Sequence, residues 1–112
     1  MAKSELERTI ETACVGCQYY KDSAQAFFDG GNIKGLTVDF NGDEEYPDAI
    51  GLFYDNELIG HVTESDIQKV SKLLVAADVE RRVPTVTEIT SHQLTVGGRL
   101  KWFTFKLSID NE

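Results

Sequence analysis

The sequence contains few residues that can cross-link a fold or interrupt its helices and strands, with two cysteines and two prolines among 112 residues. It has one methionine. Two thiols in a chain without an export signal argue against a structural disulfide. No apolar run reaches the roughly 18 residues that a membrane helix needs. The opening segment, MAKSELERTIE, is too polar for the apolar part of a signal peptide. We therefore expect a cytoplasmic protein without a membrane segment.

Basic residues are also scarce, with 11 Lys and Arg against 19 Asp and Glu, which gives a net charge of −8. This balance disfavours non-specific association with phosphate backbones or anionic lipid. Between Leu36 and Asp66 there are nine acidic residues and no Lys or Arg. Where the later bases lie in the fold therefore bears on any nucleic-acid function. These bases are Arg81, Arg82, Arg99, Lys101 and Lys106.

Apolar residues are present in ordinary amount, at 41% of the chain. Single cores commonly form at about 100 to 150 residues, so a chain of this length fits one domain. We therefore expect residues 1–112 to form a single domain with an ordinary core.

The first part of the chain predicts a strand followed by a short helical turn. Residues 9–20 are rich in β-branched and aromatic residues, which favours a strand. Ser23 is placed to cap a helical turn near residues 23–29, which the glycine pair at 30–31 would end.

Three further strands are predicted in the next part of the chain. Residues 36–40 alternate between apolar and polar, as in a short strand. Two apolar runs, residues 49–54 and 58–62, flank Asp55 and Asn56. This pattern predicts a tight antiparallel hairpin.

The pattern that follows the hairpin predicts the main helix, at about residues 64–77. Thr63 is positioned as its N-cap, and Asp66 occupies the position of a capping-box acid. Apolar residues then recur at helical spacing, so that one stripe of the helix would face the core. The stripe consists of Ile67, Val70, Leu73, Leu74 and Ala77.

The last part of the chain predicts two long strands that reverse near the glycine pair at 97–98. In the second strand Phe103, Phe105, Leu107 and Ile109 alternate onto one face. One helix cannot cover both faces of six strands, whereas a curled sheet turns one face inward. The prediction is an α+β fold, a small six-stranded, mostly antiparallel OB-like β-barrel with one main helix and one short helical turn.

The two cysteines form a C-x-x-C motif, Cys14 and Cys17, which is shared by zinc sites and redox sites. If residues 9–20 are a strand, positions i and i+3 face opposite ways, so the two sulfurs could not share a metal ion. Zinc would need two further ligands, and the histidines available are His61 and His92. We therefore interpret the cysteines as buried structural thiols and expect no metal and no cofactor.

Three sequence blocks resemble the HIRAN domain family. CVGCQYY resembles its V-x-G-x-x-Y-Y opening, and EYPDAIGLF resembles its Y-D-x-N-A-I-x-V segment. ELIGHVTESDIQKVSKLL resembles the family's hairpin-to-helix segment, G-x-x-x-G-H/Y-[IV]-P-x-x-x-A-x-x-[IL]. The blocks come in the family's order and cover about residues 9–107. The resemblance implies a modified OB-type barrel of the stand-alone, bacterial type.

The resemblance also implies a non-enzymatic module that binds nucleic acid, in particular the 3′ end of single-stranded DNA. In such domains aromatic side chains stack on the last bases, a carboxylate holds the terminal hydroxyl, and basic residues hold phosphates. The positions that match are Gln18, Tyr19, Tyr46, Asp48 and His61.

The match departs from the family where phosphates would be held. Gln18 stands where a basic residue is common, and Glu64 stands where the family has a lysine. Asp48 replaces the common Asn, and the family's adjacent Tyr-Asp aligns with Glu45 and Tyr46 in reversed order. The stacking groups are therefore partly retained, and the phosphate-holding charges are largely lost.

Structural alternatives stay open for Tyr19, Tyr46 and His61. Tyr19 and Tyr20 are adjacent on the predicted strand, so one of them would point into the core. Tyr46 could fold back as a core residue, and His61 could be a structural histidine.

Catalysis has no support, because Ser91 and its neighbour His92 lack a third partner. The rival function is a protein-interaction module whose acidic face meets a basic partner.

Overall fold

In the computed structural model, which describes residues 8–42 and 44–109, six antiparallel strands form one curled sheet, a half-barrel, accompanied by two helices. The strands are β1 Thr9–Val15, β2 Leu36–Phe40, β3 Ile50–Tyr54, β4 Glu57–Val62, β5 Thr85–Leu94 and β6 Leu100–Ser108. They follow the order β2-β3-β4-β1-β6-β5 across the sheet, so β2 and β5 are its edges. The barrel-like α+β architecture agrees with the prediction.

The first strand ends earlier than predicted. β1 stops at Val15, and Gly16 adopts a left-handed conformation with φ of 78°. Glycine reaches this conformation without steric cost, and it turns the chain out of the sheet. A single 3₁₀ turn, Cys17–Tyr19, follows. The prediction of a strand over residues 9–20 is therefore wrong beyond Val15.

A full helix, α1, occupies Lys21–Gly30, where a short turn at residues 23–29 was predicted. Ser23 does not cap this helix, because it lies inside the first turn. Its hydroxyl donates a hydrogen bond of 2.7 Å to the carbonyl of Leu58 in β4. Phe27 is buried against Phe103, with ring centroids 5.6 Å apart. The contacts to Leu58 and Phe103 attach α1 to the sheet.

The hairpin between β3 and β4 is confirmed. Asp55 and Asn56 both have positive φ, 53° and 68°. Two consecutive left-handed residues are the requirement of the two-residue turn that suits twisted strands. The turn sets Phe53 opposite Leu58, and a register shift between Leu52 and Phe53 then brings Gly51 of β3 opposite His61 of β4.

The main helix is confirmed, but its capping is not as predicted. A 3₁₀ turn at Glu64–Asp66 leads into α2, Ile67–Val79. Neither Thr63 nor Asp66 makes a side-chain capping bond. The Asp66 carboxylate instead accepts a 2.6 Å hydrogen bond from the hydroxyl of Thr12 in β1. The predicted stripe packs inward, with Ile67 half-buried and the other four residues buried.

The C-terminal strands are also as predicted, and β6 supplies much of the core. Phe103, Phe105, Leu107 and Ile109 are each at most 1% exposed. The neighbouring edge strand, β5, is ten residues long and shows three register shifts against β6.

An ion pair joins the start of β1 to the end of α2. The Arg8 guanidinium donates two hydrogen bonds to the Glu80 carboxylate, at 2.7 and 2.9 Å. These bonds hold the pKa of Glu80 below its usual value. Since the folded pKa lies below the unfolded one, the pair adds stability above the unfolded pKa. That stability is lost as the pH falls through the folded pKa.

We therefore expect Glu80→Gln to be slightly less stable than the wild type at neutral pH and to match it in acid. Urea unfolding at several pH values measures the difference. Glu57→Gln, at an exposed hairpin position, is the control. A stability gap that persists unchanged into acid would show that the pair does not depend on the charge of Glu80.

Candidate functional site

An open groove of about 880 Å³ lies where the end of β1, loop residues 41 and 45–49, β4 and the start of α2 meet. We call it the aromatic groove, because the rings of Tyr20, Tyr46 and His61 line it. Apolar side chains from β1, β4 and α2, among them Val15, Leu58 and Ile67, contribute to its walls.

The rings in the aromatic groove differ in how far they are exposed, since Tyr20 and His61 are half-buried. His61 contacts Tyr20, with ring centroids 5.9 Å apart and planes at 55°. The side-chain amide nitrogen of Asn41 lies 3.3 Å from Nε2 of His61. Tyr46, by contrast, is 64% exposed. The groove therefore combines two rings in contact with an exposed tyrosine, an arrangement that suits a flat ligand.

The loop that carries Tyr46 is shaped by backbone contacts. Asn41 N–H donates to the carbonyl of Ala49 at 2.9 Å, and Ala49 N–H donates to the carbonyl of Tyr46 at 3.1 Å. The two arms of the loop approach so closely that a Cβ at Gly42 would collide with the Pro47 carbonyl. Glycine at position 42 is therefore needed for this loop, which presents Tyr46 and Asp48 to the groove.

The structure brings together three of the five predicted site residues. Tyr46, Asp48 and His61 line the aromatic groove. Gln18 and Tyr19 lie in the neighbouring 3₁₀ turn and are not among the residues that line it. Tyr19 is 77% exposed, and the adjacent Tyr20 lines the groove in its place.

The expectation that one of the two tyrosines points into the core is wrong, since Tyr19 is exposed and Tyr20 is half-buried. The turn at Gly16 removes both of them from the strand alternation on which that expectation rested. Gly16 itself was the signal that sequence reasoning missed.

The same turn overturns the geometry predicted for the cysteines. Cys14 and Cys17 do not face opposite ways, because their sulfurs are 3.7 Å apart. Both side chains are fully buried, so the interpretation as buried thiols is confirmed. Burial, together with the hydrogen bond to Cys17, raises the pKa of the Cys14 thiol. Within residues 8–42 and 44–109, no group of three or more His, Cys, Asp or Glu could hold a metal ion.

The charges that the aromatic groove presents are acidic. Glu45, Asp48 and Glu64 are among its lining residues, and no Lys or Arg is, in the part of the chain that the structure describes. The five later bases lie elsewhere. Arg82 pairs with Glu80 at 3.7 Å, and Lys106 pairs with Glu88 at 3.7 Å.

Comparison of the chain with protein-family models, curated proteins and solved structures found no match. Among the described residues, no helix is both long enough and apolar enough to cross a membrane.

Proposed function

We propose that the aromatic groove binds the 3′-terminal nucleotides of a single DNA strand, as the HIRAN resemblance implies. One observation carries the proposal. Tyr46, Asp48 and His61 come from two separate blocks of that resemblance, and all three line the same groove. On this proposal the protein is a non-enzymatic binding module with an OB-like barrel, needs no cofactor and acts in the cytoplasm.

Each class of side chain in the aromatic groove has a role in this proposal. Tyr20 and Tyr46 offer rings on which bases can stack, which contributes about 1–3 kcal/mol per base. Asp48 offers a carboxylate that can accept a hydrogen bond from the terminal hydroxyl. The groove offers the DNA phosphates little electrostatic stabilisation, because its lining residues include no Lys or Arg in the described part of the chain. Recognition would thus be confined to the last bases and the free hydroxyl.

The test is a fluorescence-anisotropy titration with a short single strand labelled at its 5′ end. We expect micromolar or poorer affinity, with a slope of log K against log salt of about −0.7 to −2. That slope corresponds to about one to three phosphate contacts. A strand blocked by a 3′-phosphate should bind more weakly, because the added charge meets Glu45, Asp48 and Glu64.

Single substitutions test whether DNA binds in the aromatic groove or on another surface. Tyr46→Leu should weaken binding about fivefold or more, because it removes one stacking ring. Phe28→Leu is the matched control, since Phe28 is an exposed aromatic that does not line the groove. Comparing Tyr19→Ala with Tyr20→Ala tests which neighbouring tyrosine stacks. A steep salt slope with no effect of Tyr46→Leu or of the 3′ end would place DNA binding on another surface.

A second candidate function is the capture of a basic peptide segment, which would make the chain a protein-interaction module. The observation that favours it is the pairing of rings with carboxylates in the aromatic groove. Rings attract cations through their faces, and carboxylates pair with guanidinium groups. An arginine-containing peptide, compared with the same peptide carrying glutamine, provides the test. No detectable DNA binding at low salt, together with peptide binding that Asp48→Asn weakens, would favour this function.

A further inference from the structure

Cys14 and Cys17 form a buried dithiol directly behind the aromatic groove. Cys14 lies in β1 opposite Val62, and its neighbour Val15 lies opposite His61. Val15, His61 and Val62 all line the groove. The two sulfurs are 3.7 Å apart, at van der Waals contact. Two thiols held this close need little movement to reach the bond length of a disulfide, about 2.05 Å.

We propose that Cys14 and Cys17 are a modification site, at which a low-molecular-weight disulfide converts the dithiol reversibly into an intrachain disulfide. Gly16 lies between the two cysteines with φ of 78°, and it lets the 3₁₀ turn fold Cys17 back onto Cys14. The contact is therefore built into the turn.

The two thiols differ in how they become accessible. Cys14 belongs to an inner strand, where it pairs with Val62 of β4 and with Phe103 of β6. Cys17 lies outside this ladder, in a turn closed by two backbone bonds of 3.0 Å, from Tyr19 N–H to Gly16 and from Tyr20 N–H to Cys17. Opening this turn leaves the strand pairs of β1 intact, whereas exposing Cys14 breaks them. Cys17 is therefore the thiol that meets the oxidant first.

The chemistry balances with glutathione disulfide as the oxidant. The Cys17 thiolate attacks one sulfur of glutathione disulfide, which forms a mixed disulfide and releases one glutathione thiolate. Cys14 then loses its proton, and its thiolate attacks the Cys17 sulfur. This second step forms the Cys14–Cys17 bond and releases the second glutathione thiolate. The protein loses two electrons and two protons, and one glutathione disulfide becomes two glutathione thiols.

The disulfide would change the aromatic groove, because the turn that contains Cys17 leads directly into Tyr20. Tyr20 contacts the ring of His61. The proton resonances of the His61 ring should therefore shift on oxidation and return on reduction. This readout needs no ligand, so its outcome does not depend on the function proposed for the groove.

The experiment exposes the folded protein to glutathione disulfide, quenches with acid and measures the intact mass. We expect the loss of two hydrogens per chain, reversal by dithiothreitol and a shifted His61 resonance. Cys14→Ala should accumulate a glutathione adduct at Cys17. In Cys17→Ala the adduct at Cys14 should form more than about tenfold more slowly, since the sheet protects it.

Alkylation of the wild type with iodoacetamide supplies a check that requires no variant. Both cysteines lie in one tryptic peptide, residues 9–21, and its fragment-ion masses should place the first label on Cys17. The proposal is overturned if the folded protein keeps both thiols while the urea-unfolded chain oxidises, or if disulfides form only between chains. Equal labelling rates at the two cysteines would overturn the assigned order of attack.

Discussion

Leu73→Ala is expected to lower the free energy of unfolding by about 2–5 kcal/mol, the range for truncation of a buried leucine. Leu73 is fully buried and lies on the inward stripe of α2. Removing most of its side chain loses apolar burial and leaves a cavity that the surrounding sheet can fill only in part.

Lys72→Ala is the matched control for Leu73→Ala, because Lys72 is the preceding residue of α2 and is exposed. Its effect should stay within about 0.5 kcal/mol. Urea unfolding followed by circular dichroism measures both variants. Similar losses in the two would mean that the stripe of α2 does not pack against the core.

Gly60→Ala is expected to destabilise the protein by about 1–3 kcal/mol or more, as overpacking of a core does. A Cβ at this position of β4 would lie 2.9 Å from the Val15 carbonyl oxygen and 3.3 Å from the Cys17 sulfur. It would also collide with the Cys14 sulfur. The neighbours are strand backbone and fully buried side chains, which have little room to move.

Gly30→Ala serves as the control, because a Cβ there meets nothing within 4 Å. It should be neutral or stabilising by roughly 0.5–1 kcal/mol, since alanine is the better helix former. Adding Cys14→Ala to Gly60→Ala should recover part of the loss, because it removes the colliding sulfur. If the two effects simply add, the clash with Cys14 is not the cause.

The elements that the sequence predicts well are those whose signal is local. The positive φ that Asp55 and Asn56 supply and the helical spacing of the α2 stripe are properties of a few neighbouring residues. The alternation of Phe103, Phe105 and Leu107 is equally local. For these elements, pattern and tertiary structure agree.

The predictions are wrong where the local structure depends on a single backbone angle or on a contact with a residue distant in sequence. Gly16 ends β1, and although a glycine in a strand pattern permits a break, the sequence does not give its φ. The shift from Tyr19 to Tyr20 in the groove and the meeting of the two sulfurs both follow from that turn. Asp66 occupies a capping position, yet it bonds to Thr12, 54 residues away in sequence. Propensity rules cannot include such a contact.

The candidate site could be predicted only in part, for the same reason. His61 and Tyr46 follow from the resemblance, and the structure places both in the aromatic groove. Its acidic lining depends on how loop residues 45–49 fold against β4, which is a tertiary property. The dispersal of the later bases to other surfaces likewise required the fold.

The irregular pairing of β5 with β6 affects how readily a second copy of the protein can pair with this edge of the sheet. A long, regular edge strand offers a template on which a second chain can extend the sheet. The register of β5 shifts between Val86 and Glu88, between Ile89 and Ser91, and between Gln93 and Leu94. The first two shifts each leave an extra residue in β5, Thr87 and Thr90, which bends the strand and interrupts its row of outward-facing backbone groups. An incoming strand would find only short stretches of β5 to pair with, which disfavours edge-to-edge association at this edge of the sheet.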